Sequence, residues 1–175
     1  MLTELDYRLS VVKRWGILNT IQTQSVAEHC FNVERICMKL APMFGITDFL
    51  GVLQLSQAAL HHDDQEALTG DMPTTAKHYI EEGESGVDMP GRLWYTQASD
   101  RTREIVKLAD LLEAFHFINM EIKMGNKYLI KHKAGAKARI LEFAMNHPDW
   151  PTKVFDECVV WMRVKENEQS QIYGV

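Results

Sequence analysis

His29, the adjacent pair His62-Asp63, and Asp110 set two imidazoles and two carboxylates along this chain. Imidazole nitrogen and carboxylate oxygen together suit a divalent ion such as Zn, Mn, Co or Fe(II), and an open coordination position allows chemistry on bound water. A His-Asp dipeptide alone means little. Its setting, Leu60-His61-His62-Asp63-Asp64-Gln65-Glu66-Ala67-Leu68-Thr69-Gly70-Asp71, carries more. Asp110 lies inside Lys107-Leu108-Ala109-Asp110-Leu111-Leu112, and a carboxylate among leucines is costly unless it is paired or holds a cation. Spacing leaves blander readings open. Asp110 could simply pair with Lys107 or Arg103, and His61 and Asp64 could face solvent or support the neighbouring pair. A lone helical histidine is more often a hydrogen-bonded surface or core residue, which is how His78, His116, His132 and His147 are read.

The elements that must position these groups read as helices. Ser25-Val26-Ala27-Glu28 is a capping box, and Val33, Ile36, Cys37 and Leu40 then repeat at helical spacing until Pro42. Asp48 caps a second helix expected to run through Leu53 and Leu60 into His62, and Gly70 breaks the pattern after it. Pro73 fits the first turn of a short helix through Tyr79. From Glu81 to Gln97 glycines and acids alternate, which predicts a loop, with a lid or an oligomer contact as the sharper alternatives. Asp100 starts the longest periodic segment, with Ile105, Leu108, Leu111, Leu112, Phe115 and Ile118 apolar, ending near Gly125. A helix follows from about Lys127 to Met145, and Pro151 opens the last. No strand, repeat or linker emerges. The expectation is an all-α helical bundle, one domain over residues 1–175.

Composition narrows the partners. A chain of 175 residues with 46% apolar and 25% charged residues can bury a core without staples. A net charge of −5 argues against a nucleic-acid polymer as partner, while leaving room for a small phosphorylated ligand held by a few cations. No apolar run approaches the roughly 20 residues of a membrane span. The acidic start, Met1 to Asp6, lacks a signal-peptide core. Cys30, Cys37 and Cys158 form no Cys-x-x-Cys and give no disulfide framework; Cys30 and Cys37, seven apart, fit one buried helix face. The cytoplasm is the expected location.

At these residues the chain resembles the HD-domain phosphohydrolase superfamily, in which a first His, a His-Asp doublet and a late Asp on separate helices hold the metal. His29, His62, Asp63 and Asp110 match in order. The resemblance sharpens toward the HD-domain 5′-deoxynucleotidases and their shorter bacteriophage relatives. Their motifs are matched by Arg14-Trp15 with Ala27-Glu28-His29, by His62 through Thr74, and by Lys107-Leu108-Ala109-Asp110. Residues 14–110 carry all of them, and the C-terminal third carries none.

The resemblance implies an HD-type bundle, a metal set of His29, His62, Asp63 and Asp110, and a catalytic set of Glu66, Asp63 and Arg14. Glu66, four residues beyond His62, would share a helical face with it and orient or deprotonate water, whose pKa a metal lowers. Arg14 would clamp phosphate with its planar fork. Trp15 would press where a ribose 2′-hydroxyl projects, and Asp71 would accept a hydrogen bond from the 3′-hydroxyl. Met72, Pro73 and Thr74 continue the substrate-binding motif, while Lys77 and Lys107 would add positive charge for phosphate. Without the motif, Glu66 reads as a solvated acid, Trp15 as core and Gly70-Asp71 as a turn.

The implied reaction is attack of activated water on the phosphorus that bears O5′. Bacterial members release phosphate from deoxynucleoside monophosphates. Phage relatives convert dATP to deoxyadenosine and triphosphate, depleting dATP where 2-aminoadenine replaces adenine. The short chain, Arg14-Trp15-Gly16-Ile17, Lys77 and Lys107 favour the triphosphohydrolase, with Ile17 set against the purine edge and Mg accompanying the triphosphate. The 5′-deoxynucleotidase is the alternative. A non-catalytic metal and nucleotide sensor is disfavoured by Glu66 and Arg14, and an incidental helical bundle would bind no stoichiometric metal. A cyclic-dinucleotide phosphodiesterase lacks its Gly-Tyr-Pro signature here. Relatives assemble into rings or dimers, so a homo-oligomer is expected.

Overall fold

The computed structural model describes residues 4–71 and 92–173. Within them the chain forms α1 (Glu4–Arg8), α2 (Val26–Leu40), α3 (Phe49–Leu60), α4 (Glu66–Thr69), α5 (Arg92–Thr96), α6 (Asp100–Lys123), α7 (Ile130–Met145) and α8 (Thr152–Tyr173). Short 3₁₀ turns cover Ala41–Phe44 and Lys127–Leu129. The described residues hold no strand, only an isolated antiparallel bridge between Lys13 and Ser25. None of their helices is long and apolar enough to cross a membrane.

α2 packs on both α3 and α6, and α6 in turn carries α7 and α8. Phe115, Leu55, Ile105, Leu108, Ile140 and Val154 are fully buried in one hydrophobic cluster. Each such side chain contributes roughly 1.5–3 kcal/mol on leaving water. This cluster is what fixes the relative placement of α2, α3 and α6, the helices that bear or flank the chemical groups.

Local signals explain the helix starts. Ser25 accepts from the Glu28 amide while the Glu28 carboxylate accepts from the Ser25 amide, so both arms of the capping box form. Two further amides of the first turn are also met: Val26 donates to the Val12 carbonyl and Ala27 to that of Leu9. Residues 9–14 are therefore laid across the N-terminus of α2. Asp48 caps α3 through the Gly51 amide, as its position predicts. Ser99 caps α6, which starts at Asp100 as expected.

Two expectations need correction. α3 stops at Leu60, and residues 61–65 form turns, so His62 and Asp63 do not sit on the helix. The reason is local: the His62 ring donates Nδ1–H to the Ala59 carbonyl at 2.7 Å, filling a helix-terminal acceptor with a side chain. The loop expected over residues 81–97 ends early, because Arg92–Thr96 is helical. The rest of that span, and the short helix expected from Pro73 to Tyr79, lie outside the described residues.

α6 presents a polar stripe toward the N-terminal segment. Asp110, Glu113, Phe117 and Glu121, at steps of three or four residues, all face residues 14–24 or the histidines. Glu121, fully buried, accepts from the backbone amides of Ile21 and Gln22 at 2.6 and 2.7 Å and from the Asn126 amide at 2.7 Å. This clasp holds the loop that leads back from Trp15 to α2.

Candidate metal centre

His29 comes from the first turn of α2, His62 and Asp63 from the turn after α3, and Asp110 from the middle of α6. The turn matters. Consecutive residues on a helix diverge by about 100°, whereas here both members of the doublet reach the same point. One donor atom each from His29, His62 and Asp63 lies within 4.8 Å of the others. Asp110 Oδ1 stands beside this set of three, 3.4 Å from His29 Nε2.

The two imidazoles are polarised from behind. His29 Nδ1 lies 2.8 Å from Glu113 Oε2, and its partner is a carboxylate that this contact holds ionised. His62 Nδ1 meets only a carbonyl. Both rings therefore donate from Nδ1 and turn Nε2 inward. Those two Nε2 atoms face each other at 3.3 Å. A cation between them would be ligated by both nitrogens. Asp63 Oδ2 stands 3.7 Å from His29 Nε2 and 3.4 Å from His62 Nε2. Tetrahedral ligation with bonds of about 2.0–2.1 Å puts donor atoms about 3.3–3.4 Å apart, so the donor set fits an ion of zinc's size.

Electrostatics follow from this crowding. Burial, with help from His29, pushes the His62 pKa below the ordinary imidazole value, and Asp63 and Asp110 only partly oppose it. Burial alone would raise the Asp110 pKa, but Lys107, His29, Arg14 and His62 together hold it well below the carboxylate range. Lys107 Nζ donates to Asp110 Oδ2 at 2.7 Å, so the lysine expected at phosphate instead neutralises a candidate ligand here. Arg103, the other possible partner, pairs with Asp100.

Arg14 closes the rim. Its guanidinium lies 3.7 Å from Asp63 Oδ2 and 3.8 Å from Asp110 Oδ1, and among the described residues buried Nη1 makes no hydrogen bond. A donor left without an acceptor inside a site is what an incoming oxyanion satisfies. Burial lowers the Arg14 pKa, yet the carboxylates of Asp110, Asp63, Glu113 and Asp71 more than restore it.

Trp15 follows with φ of +65°, a left-handed backbone that a bulky residue rarely adopts. Three contacts hold it there. Its amide donates to Asp71 Oδ2 at 2.8 Å, its indole stacks on Phe117 at 5.0 Å, and Nε1–H donates to Gln24 Oε1 at 3.0 Å. Asp71 therefore grips the protein backbone with one oxygen.

The remaining expected residues separate into three groups. Glu66 is buried, which overturns its reading as a solvated acid, and it opens α4 instead of continuing α3, so no single helical face joins it to His62. Asp64 is buried too, accepting from His61 Nδ1 at 2.9 Å, a contact that raises the His61 pKa. Ile17 is 71% exposed. Met72, Pro73, Thr74, Lys77 and His78 lie outside the described residues. Cys30, Cys37 and Cys158 are buried free thiols, as expected.

Sequence reasoning missed Gln24, Glu113 and Tyr95. Glu113 carried the signal used for Asp110, an acid between Leu112 and Phe115 on a core helix. Gln24 carried none. Tyr95, on α5, meets the His62 ring edge-on at 6.3 Å.

Comparison with known proteins agrees with this arrangement. The family model described as 5′-deoxynucleotidase YfbR-like matches residues 3–87. A dATP triphosphohydrolase of Acinetobacter phage SH-Ab 15497 is 32% identical over 64% of this chain and 64% of its own length. The chain thus spans just under two thirds of that relative. A 5′-deoxynucleotidase of Pasteurella multocida is 29% identical over 76% of this chain and 78% of its own. Among solved structures, the cyanophage S-2L HD phosphohydrolase DatZ, bound to dA and one catalytic Zn2+ ion, superposes with a TM-score of 0.79. That alignment covers 95% of this chain and 98% of DatZ at 24% identity, and establishes the fold. Motif order, helical architecture and these matches agree: over residues 3–87 the chain is similar to the YfbR-like 5′-deoxynucleotidases, and its fold is that of an HD phosphohydrolase.

Proposed function

We propose that this protein is a metal-dependent phosphohydrolase that cleaves the 5′ phosphoester of a deoxynucleotide, with dATP as substrate and deoxyadenosine and triphosphate as products. The observation that carries the reading is the pair of inward Nε2 atoms 3.3 Å apart, with Asp63, Asp110 and the Arg14 guanidinium around them. A cation site beside a hydrogen-bond donor that lacks an acceptor suits a phosphate ester.

His29, His62, Asp63 and Asp110 would hold the ion, zinc in the first instance, with cobalt or manganese as substitutes. When bound, it supplies Lewis acidity and makes water a nucleophile near neutral pH. Arg14 binds the oxygens of the phosphorus under attack. Glu66 takes the proton as the water oxygen bonds to phosphorus and the P–O5′ bond breaks, and the departing O5′ is protonated in turn. Trp15 occupies the position that excludes a 2′-hydroxyl, and Asp71, while holding the Trp15 amide, offers its carboxylate to the 3′-hydroxyl. By the motif match Met72, Pro73 and Thr74 would bind substrate, and Ile17 would border the purine edge. Lys77, with Mg on the phosphate tail, would balance the triphosphate charge, while Lys107 stays with Asp110.

Support for the triphosphate comes from the phage relative; the bacterial relative supports hydrolysis of monophosphates instead. We place the enzyme in the cytoplasm, with the free nucleotide pool, as a homo-oligomer. A panel of deoxynucleoside mono- and triphosphates, with products separated by chromatography, decides between them. Intact triphosphate released from dATP supports the first, and phosphate released only from dAMP supports the second. No turnover of either by zinc-loaded protein rejects both.

A further inference from the structure

A continuous hydrogen-bonded chain joins the Trp15 indole to the His29 imidazole. Trp15 Nε1–H donates to Gln24 Oε1 at 3.0 Å, Gln24 Nε2 donates to Glu113 Oε1 at 2.5 Å, and His29 Nδ1 donates to Glu113 Oε2 at 2.8 Å. Gln24, His29 and Glu113 are all buried. The Gln24 carbonyl also accepts the Arg14 amide at 2.8 Å, so one residue holds both members of the Arg14-Trp15 pair.

The direction of each bond is forced. An ionised carboxylate only accepts, so Glu113 compels Gln24 to present its NH₂ inward and hence its carbonyl outward to the indole. The same carboxylate compels His29 to carry its proton on Nδ1. Glu113 thus sets the tautomer of a candidate metal ligand and the acceptor that aims Trp15. Phe117, one helical turn further along α6, supports the same indole by stacking at 5.0 Å and 8°.

We propose that Gln24 and Glu113 are positioning residues that couple the aim of Trp15 to metal binding at His29, so that sugar discrimination and metal affinity rise and fall together. This rests on the metal and deoxyribose roles given above. Disturbing the indole end should weaken the metal end although no atom of Gln24 or Trp15 is placed to ligate.

The test uses metal-depleted full-length protein and competition with a chelator for Zn2+, alongside kcat/KM for dATP against ATP. Gln24→Met keeps the volume and removes both hydrogen bonds; Trp15→Phe keeps the stacked ring and removes only the indole donor. Each should weaken zinc affinity about three- to ten-fold, a fraction of the roughly 10–100-fold expected when a group directly behind a ligand is changed, as in Glu113→Gln. Each should also lower the dATP/ATP preference, mainly through KM for ATP. Zinc affinity within twofold of the parent in whichever of the two variants folds, judged by circular dichroism, overturns the coupling even if discrimination changes. A parent that binds no stoichiometric zinc would instead remove the functional reading on which the coupling stands.

Discussion

The backbone amide of Trp15 donates to Asp71 Oδ2 at 2.8 Å across 56 residues of sequence. It does so while Trp15 holds a left-handed φ of +65°, a conformation that costs of order 1–3 kcal/mol for a non-glycine residue. The contact links the turn that follows α4 to the residue proposed to shape the sugar site. Asp71→Ala should therefore loosen Trp15 as well as remove a sugar contact. We expect about 1 kcal/mol lower stability and a higher KM for dATP with reduced preference over ATP. Chemical denaturation and steady-state kinetics check the two effects, and an unchanged preference would confine Asp71 to backbone support.

Asp63→Asn should remove charge from the cluster while nearly preserving its shape. Because Asp63 Oδ2 is within 3.7 Å of both inward imidazole nitrogens, zinc content after dialysis should fall well below one per chain. Elemental analysis of the folded variant measures this. Full occupancy would exclude Asp63 from the ligand set.

Glu66→Gln should separate binding from chemistry. The side chain is buried at the start of α4, and its amide donates to the Asp63 carbonyl at 2.9 Å. Zinc should stay bound while kcat falls by roughly 10²–10⁴-fold, the usual contribution of a general base. Retained kcat would move proton abstraction to another group.

Metal-free protein should lose stability in acid partly through His62. Burial keeps its folded-state pKa below the ordinary value, so the unfolded chain binds the proton more readily. Stability is then undiminished above about pH 6.5, falls as pH drops through that value, and levels off below the folded-state pKa. Asp110 and Glu113, both held below the ordinary carboxylate value, titrate in the same direction, so the difference between parent and His62→Gln isolates the histidine. Urea midpoints at about pH 8 and about pH 5 should converge between the two proteins on acidification, with the gap unchanged if His62 does not titrate this way.

Ile17→Ala should raise the use of 2-amino-dATP relative to dATP if this side chain borders the purine. It is largely exposed, so its removal should leave stability nearly unchanged, and competition between the two substrates reads the ratio directly.

Helix boundaries were most legible where side chains themselves close the backbone. Ser25-Glu28 and Asp48 announced α2 and α3 because capping is written in single residues. The His62-Asp63 turn was not legible as a turn, since the apolar period of α3 runs on and the break is made by a ring bonding the Ala59 carbonyl. Asp110 was visible because an acid among leucines stands out. Gln24 was invisible, because its importance comes from Glu113, 89 residues away, which fixes which way its amide points. The N-terminal segment showed Arg14-Trp15 as a motif but gave no sign of the tight path that Glu121 and Asp71 impose on it.

The stripe on α6 works as a ruler. Asp110, Glu113, Phe117 and Glu121 each grip a different piece of the apparatus, spaced over about 16 Å of a single rigid rod. Inserting or deleting one residue between positions 113 and 121 would rotate the far grips by about 100° relative to the near ones. Cation cage and N-terminal loop would then fall out of step at once. Variation in this enzyme is thus confined to exchanging side chains on a helix whose length between those grips cannot drift.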